Sequence, residues 1–194
     1  MISNGKMAKT GLTDTDYFFT SQRLGFRKFK DEDKKLFFKI NTDPKVMQFF
    51  PSVLTLVESN SLIEKINNHI DEYNFGFFAV DLLSENQFIG FIGLKRTSFD
   101  ADFTPCVEIG WRLDAKFWNQ GLATEGAQRC LKYAFTDLSI SEVYSFTSLL
   151  NLPSERVMQK IGMQKIGQFS HPMIEDKDPL KEHCVYKITS IFIK

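Results

Sequence analysis

The stretch from Cys106 to Leu138 limits the fold more than any other part of the chain. CVEIGWRL alternates as a strand, DAKFWN connects, and the turn QGLATEG opens an amphipathic helix that ends near Leu138. A strand that enters a helix through a small-residue turn leaves the first N–H groups of the helix without intrahelical partners. The helix dipole adds roughly half a positive charge at that end, so a phosphate or pyrophosphate is the expected guest. What the turn lacks narrows the ligand. Gly121 and Gly126 have the spacing of GxxxxGK[ST], but Ala127 and Gln128 follow where a triphosphate loop needs Lys and then Ser or Thr. No GxGxxG fingerprint is present, and no further strand and helix pair builds a second mononucleotide half.

Alternation along the strand puts Val107, Ile109, Trp111 and Leu113 on one face and Glu108, Gly110 and Arg112 on the other. Gly110 leaves no side chain between Glu108 and Arg112, a sign of close approach by an extended ligand or of a bulge. The ordinary alternative is a half-exposed strand with a Glu and Arg surface pair. Further on, Val143 to Leu149 reads as a strand, and Asn151-Leu152-Pro153-Ser154 starts a helix with Val157, Met158 and Ile161 as its apolar side. Pro153 suits a first turn, and Asn151 and Ser154 are both capping residue types.

Two motifs carry a family resemblance. Trp118-Asn119-Gln120-Gly121-Leu122-Ala123 resembles the acyl-CoA loop [QR]-x-x-G-x-[GA] of the GNAT N-acetyltransferase superfamily. Trp in the first position, with ATEG following, is similar to the branch that acetylates ribosomal-protein N-termini. Asn151 to Met163, NLPSERVMQKIGM, resembles the block N-x-x-[AS]-x-x-[LV]-Y-x-x-x-G-[FM], with Met158 where many members carry a Tyr general acid. The resemblance runs from about Thr20 to Ile191. It implies an α/β acyl-CoA N-acetyltransferase fold, a central mixed, mostly antiparallel twisted sheet with helices on both faces. The implied reaction moves acetyl from acetyl-CoA directly to a primary amine, with CoA as product.

Site roles are assigned on that basis. Ile109, Trp111, Arg112 and Leu113 of the strand, with Asn119, Gln120, Gly121, Leu122, Ala123 and Thr124 of the turn, are the expected cofactor contacts. By resemblance Asn151 bonds the pantetheine, Ser154 replaces the Tyr as donor to the leaving thiolate, and Arg156 and Lys160 meet the cofactor's phosphates. Glu108 is the expected base, acting through water. An α-amino group (pKa ~7.7–8.0) is far easier to deprotonate than a lysine at ~10.4. Backbone N–H groups freed at a bulge around Ile109 to Trp111 are the expected oxyanion donors. Phe49, Phe50 and His171 are expected on the acceptor side, His171 also as a secondary base. The branch implies a protein N-terminus as acceptor, but fold and cofactor site do not set the acceptor. An aminoglycoside, polyamine or amino acid remains an alternative, and a CoA-binding regulatory module without catalysis is a different class of reading.

The remaining sequence reads as one domain, residues 19–194, behind a flexible lead-in of residues 1–18. Thr20 to Phe29 reads as a strand, and Glu32 to about Asn41 as a helix capped by Asp31 that buries Leu36, Phe37 and Ile40. Pro44 opens a short helical turn. Thr55 and Glu58 have capping-box spacing ahead of Leu62, Ile63, Ile66, Ile70 and Tyr73. Phe75 to Leu82 and Gln87 to Leu94 form a hairpin, and Met163 to Phe169 and Cys184 to Ile191 are closing strands. Lys plus Arg and Asp plus Glu each number 24, so no basic excess points to nucleic acid. No apolar run reaches the ~20 residues of a membrane span, and MISNGKMAKTG lacks a signal core. The expectation is a cytoplasmic monomer or homodimer. Cys106, Cys130 and Cys184 read as reduced packing residues. His171 and His183 lack ligand spacing, so no metal is expected.

Overall fold

The computed structural model describes residues 17–190. Its strands are β1 (Phe19–Thr20), β2 (Leu24–Arg27), β3 (Phe77–Leu82), β4 (Gln87–Thr97), β5 (Cys106–Leu113), β6 (Glu142–Ser148), β7 (Gln164–Ser170) and β8 (Glu182–Thr189). They form one sheet in the order β1-β2-β3-β4-β5-β6-β8-β7. Neighbours are antiparallel except β5 and β6. A parallel pair cannot be closed by a hairpin and needs a long crossover. Helix α4 (Leu122–Thr136) is that crossover. The mixed, mostly antiparallel sheet agrees with the sequence reading.

Helices α1 (Asp33–Thr42), α2 (Pro44–Met47) and α3 (Leu56–Tyr73) precede the central strands, and α5 (Leu152–Lys160) follows β6. Register decides which face each side chain meets. Ile92 pairs with Trp111 and faces α4, where a Cβ on Gly126 would stand 2.3 Å from Ile92 Cδ1. The missing side chain at Gly126 is what lets α4 seat this closely. Phe91 pairs with Arg112 one residue along, so both point the other way, toward α1. There the Phe37 ring lies 6.1 Å from Phe91. Asn41 Nδ2 donates to Ser59 Oγ at 2.9 Å and ties α1 to α3. The capping box at Thr55 and Glu58 is present, and Ile63, Ile66 and Ile70 are buried behind it.

The first forty residues depart from the sequence reading in three places. Thr20 to Phe29 is not one strand. Ser21 N–H bonds Leu24 O at 2.8 Å and the chain reverses, because Ser21 Oγ and Arg23 N–H both donate to Glu125 on α4. Asp31 does not cap α1. Glu32 occupies that position without a side-chain bond, and Asp33 instead accepts from Lys30 N–H at 2.7 Å while pairing with Arg27. That anchor turns Phe37, Ile40 and Asn41 inward and leaves Leu36 40% exposed. Finally, Phe18, assigned above to the lead-in of residues 1–18, is tied to the sheet, its N–H donating to Phe26 O at 2.8 Å. Residues 1–16 and the last residue of the expected closing strand, Ile191, lie outside the described residues.

Arg27 is the electrostatic centre of this half. Its guanidinium donates to both oxygens of Asp81 at 2.7 Å and to both of Asp33 at 2.6 and 2.9 Å, all three side chains being buried. Burial alone would lower its pKa; the two carboxylates outweigh that and raise it.

Candidate active site

Where β5 leaves β6 the sheet opens. The two strands are ladder partners at one position, Glu108 with Tyr144. Past it, Ser145 Oγ reaches across and donates to Ile109 O at 3.0 Å. The edge of β5 beyond Ile109 therefore offers main-chain groups that β6 does not pair. The expected bulge is elsewhere. Pairing of β4 with β5 runs without a break from Gly90 and Leu113 to Thr97 and Cys106, and the irregularity falls between β3 and β4, where Ile89 is the extra residue. Strand divergence, not a bulge in β5, exposes this backbone.

The open edge leads to the start of α4. Gly121 sits at φ +76°, a conformation that favours glycine, and no side chain caps the helix. Asn119 is also left-handed, at φ +61°. Trp118 Nε1 donates to Leu113 O at 2.9 Å, which fastens the turn to the end of β5 and gives the Trp a structural reason. The first N–H groups of α4 are thus presented on a shaped turn, as an anion needs. Sequence reasoning missed Arg23. Its Nη1 donates to Gln120 O at 3.0 Å and its Nε pairs with Glu125 at 2.6 Å, so a cation stands beside the turn. Nothing local in TSQRLGF signals this; the β1 to β2 reversal creates it.

Asn151 caps α5. Its Oδ1 accepts from Ser154 N–H at 3.2 Å and its Nδ2 donates to Thr147 Oγ1 at 2.9 Å. Ser154 is half-buried, and its Oγ makes no hydrogen bond among the described residues. Met158 is buried in the core. Arg156 and Lys160 are exposed on the same helix. Tyr186 comes close to α5 from β8, but its hydroxyl donates to Glu155 at 2.8 Å and is engaged there.

The opposite face of β5 carries Glu108, Gly110 and Arg112. Glu108 is mostly buried, with Lys95 Nζ at 3.9 Å. Burial raises its pKa and Lys95 only partly offsets this. Gly110 does not open a slot for a pantetheine arm, since a Cβ there would touch the Phe77 ring at 3.3 Å. The glycine makes room for Phe77. Arg112, expected among cofactor contacts, directs its side chain away from α4; Nη1 donates to Asn41 Oδ1 at 2.7 Å and the guanidinium lies 4.1 Å from the Phe50 ring centre. Its main chain is laddered to Phe91 on β4. Phe49 is half-buried and Phe50 exposed, so Phe50 does border this face.

His171 lies among Phe99, Phe146, Phe169 and His183, with its ring 4.8 Å from Phe99 and 5.0 Å from His183. Its Nδ1 accepts from Met173 N–H at 3.2 Å. Burial, then the neighbouring His183, bring its pKa down to about 4, which makes it a weak base at neutral pH. A groove of about 920 Å³ opens at the start of β5, bordered by Lys65, Glu72, Arg96, Cys106, Glu142 and Tyr144. It is at the end of β5 remote from Gly121. Among the described residues there is no cluster of metal-ligating side chains and no helix long and apolar enough to cross a membrane.

A divergent parallel pair beside an uncapped helix start can hold an extended ligand that ends in phosphates. The acetyltransferase (GNAT) domain family model matches residues 23–164. The chain belongs to the GNAT acetyltransferase family and is an N-acetyltransferase. A curated relative, the uncharacterized N-acetyltransferase YnaD of Bacillus subtilis, is 32% identical over 151 residues, covering 77% of this chain and 84% of its own length. Among solved structures, ribosomal-protein-S5-alanine acetyltransferase from Vibrio fischeri superposes with TM-score 0.70 at 14% identity, over 91% of this chain and 98% of that one. Spermidine N-acetyltransferase from Vibrio cholerae, in complex with CoA and spermine, gives 0.68 at 18%, over 87% and 96%. At these identities the two structures share the fold with this chain and say nothing of its acceptor.

Proposed function

We propose that the chain transfers acetyl from acetyl-CoA directly to an α-amino group, most simply that of a peptide or protein N-terminus. The observation that carries the acceptor reading is the composition of the face around Glu108. Along that face of β5, Phe77 covers Gly110 and stacks on Phe91, Phe50 lies over Arg112 at the far end, and Glu108, whose pKa burial raises, is the carboxylate the strand contributes. A polyamine needs several acidic partners along its length. The groove beside Cys106 does not supply them, because Lys65 and Arg96 balance Glu72 and Glu142.

Residue roles follow from position. Glu108 takes a proton from the attacking amine, directly or through water. The main-chain N–H of Trp111, which alternation turns to the unpaired edge beyond Ile109, receives charge developing on the acetyl oxygen. Ser154 Oγ, free of other bonds among the described residues, donates to the departing sulfur. Asn119, Gln120, Gly121, Leu122, Ala123 and Thr124 hold the pyrophosphate, with Arg23 beside them and Arg156 and Lys160 toward the remaining phosphates. Asn151 retains one N–H beyond its bond to Thr147 and can give it to the pantetheine. Cys130 and Cys184 are buried, and burial lifts the Cys106 thiol to about 11, which favours direct transfer over a thiolate intermediate.

Calorimetric titration with acetyl-CoA, for the parent and for Gly121→Asp, tests the cofactor site. Thiol release with free-amine peptides and with spermidine then tests the acceptor. Binding lost in a folded Gly121→Asp, with turnover on peptides, is the expected result. Turnover on spermidine and none on peptides overturns the acceptor reading.

A further inference from the structure

Among the described residues, the guanidinium groups of Arg27 and Arg112 are treated differently by the fold. Arg27 spends its donors on Asp33, Asp81 and Lys28 O. Arg112 has one hydrogen bond, Nη1 to Asn41 Oδ1, and no carboxylate within 4.0 Å among the described residues. Its Nε is shut off from water and has no partner among the described residues. An orphaned buried donor on a charged group is costly and calls for an explanation.

The surroundings fix how the group is presented. Phe50 lies 4.1 Å and Phe91 5.4 Å from the guanidinium carbon, gripping its flat face. Asn41 is itself held by Ser59, so it fixes the Nη1 corner. What remains open is Nη2, unbonded among the described residues and not closed to solvent as Nε is, a charge-assisted donor for a carboxylate oxygen. Burial lowers the pKa only to about 10, so the group is cationic at neutral pH. Arg112 also shares its strand face with Glu108, four residues away, or roughly 13 Å of extended chain.

Building on the acceptor reading above, we propose that Arg112 is a specificity residue that binds a carboxylate carried by the acceptor, while the amine sits at Glu108. The preferred substrate is then an amine with an acidic group set a few residues away along an extended chain, from a Glu or Asp side chain or from a nearby C-terminus. Phe50 on one side and Phe77 between the two ends give the connecting segment an apolar floor.

The test uses the full-length enzyme, acetyl-CoA and peptides of the form Ser-Ala-Ala-Ala. Positions two to four are replaced in turn by Glu or Gln with the C-terminus amidated, and one further peptide has a free C-terminal acid. For the parent, kcat/KM on one Glu peptide, or on the free acid, should exceed that on its neutral counterpart about tenfold or more, the usual scale of a charge-assisted pair. Arg112→Met should abolish that ratio without changing acetyl-CoA affinity, and Arg112→Lys, which keeps the charge but not the guanidinium, should recover part of it. The position of the preferred Glu separates a side-chain source from a terminal one. A parent ratio near one for every pair overturns the proposal, as does an Arg112→Met variant that slows acid and neutral peptides equally. Absence of turnover on every peptide, with acetyl-CoA bound, instead overturns the α-amino reading on which it rests.

Discussion

Glu108 owes its chemistry to two opposed influences, an apolar strand face that disfavours its charge and Lys95 at 3.9 Å that partly restores it. Burial prevails, so the folded pKa lies above the ordinary 4.5. Between those two values the folded state binds more protons than the unfolded one. Stability contributed by the protonated group is therefore lost as pH rises through that window. Two outcomes follow for Glu108→Gln. Turnover should fall by at least about a hundredfold, and the acidic limb of the kcat/KM profile, expected above pH 4.5, should vanish while acetyl-CoA affinity is kept. At neutral pH the variant should also be no less stable than the parent in urea. Ser154→Ala should cost less, on the order of tenfold in kcat, because a thiolate leaves readily and needs only one donor.

Elements were legible in the sequence wherever their cause is local. Thr55 and Glu58 announce α3 by spacing, Pro44 opens α2, and the run from Asn151 to Ser154 marks the start of α5. Thr55→Ala should lower stability by about 1 kcal/mol and leave acetylation unchanged, as read by denaturant midpoint and initial rate. Features set by distant partners were not legible. The reversal at Ser21 depends on Glu125, more than a hundred residues away. The filling of the Gly110 gap depends on Phe77, and the direction of the Arg112 side chain depends on Asn41. Alternation correctly put Glu108, Gly110 and Arg112 on one face, but which helices cover a face is decided by topology, which alternation does not contain.

At the scale of the molecule, two devices hold the parts in register. Arg27 joins β2, β3 and α1 through Asp81 and Asp33. Removing one carboxylate leaves a buried cation half-matched, so Asp81→Asn should lose roughly 3–5 kcal/mol of unfolding free energy. The other device is the bound cofactor. At a hundredfold excess over Kd, acetyl-CoA should add about 2.7 kcal/mol, a rise in Tm of roughly 5–10 °C for a chain of this size, and Gly121→Asp should show none of it.

The single ladder position between Glu108 and Tyr144 makes the sheet a garment with one stitch down the middle. Strands β1 to β5 on one side and β6, β8 and β7 on the other are each laced by long antiparallel ladders, while the seam relies on that stitch, the Ser145 hydroxyl and α4. A ligand lying in the opening sews the panels together from within. Amide exchange at 107–113 and 142–148 should therefore slow when acetyl-CoA binds, with α3 unaffected. The same seam is where the empty enzyme should first part under load, so the proposed cofactor cleft and mechanical weakness share one line through the protein.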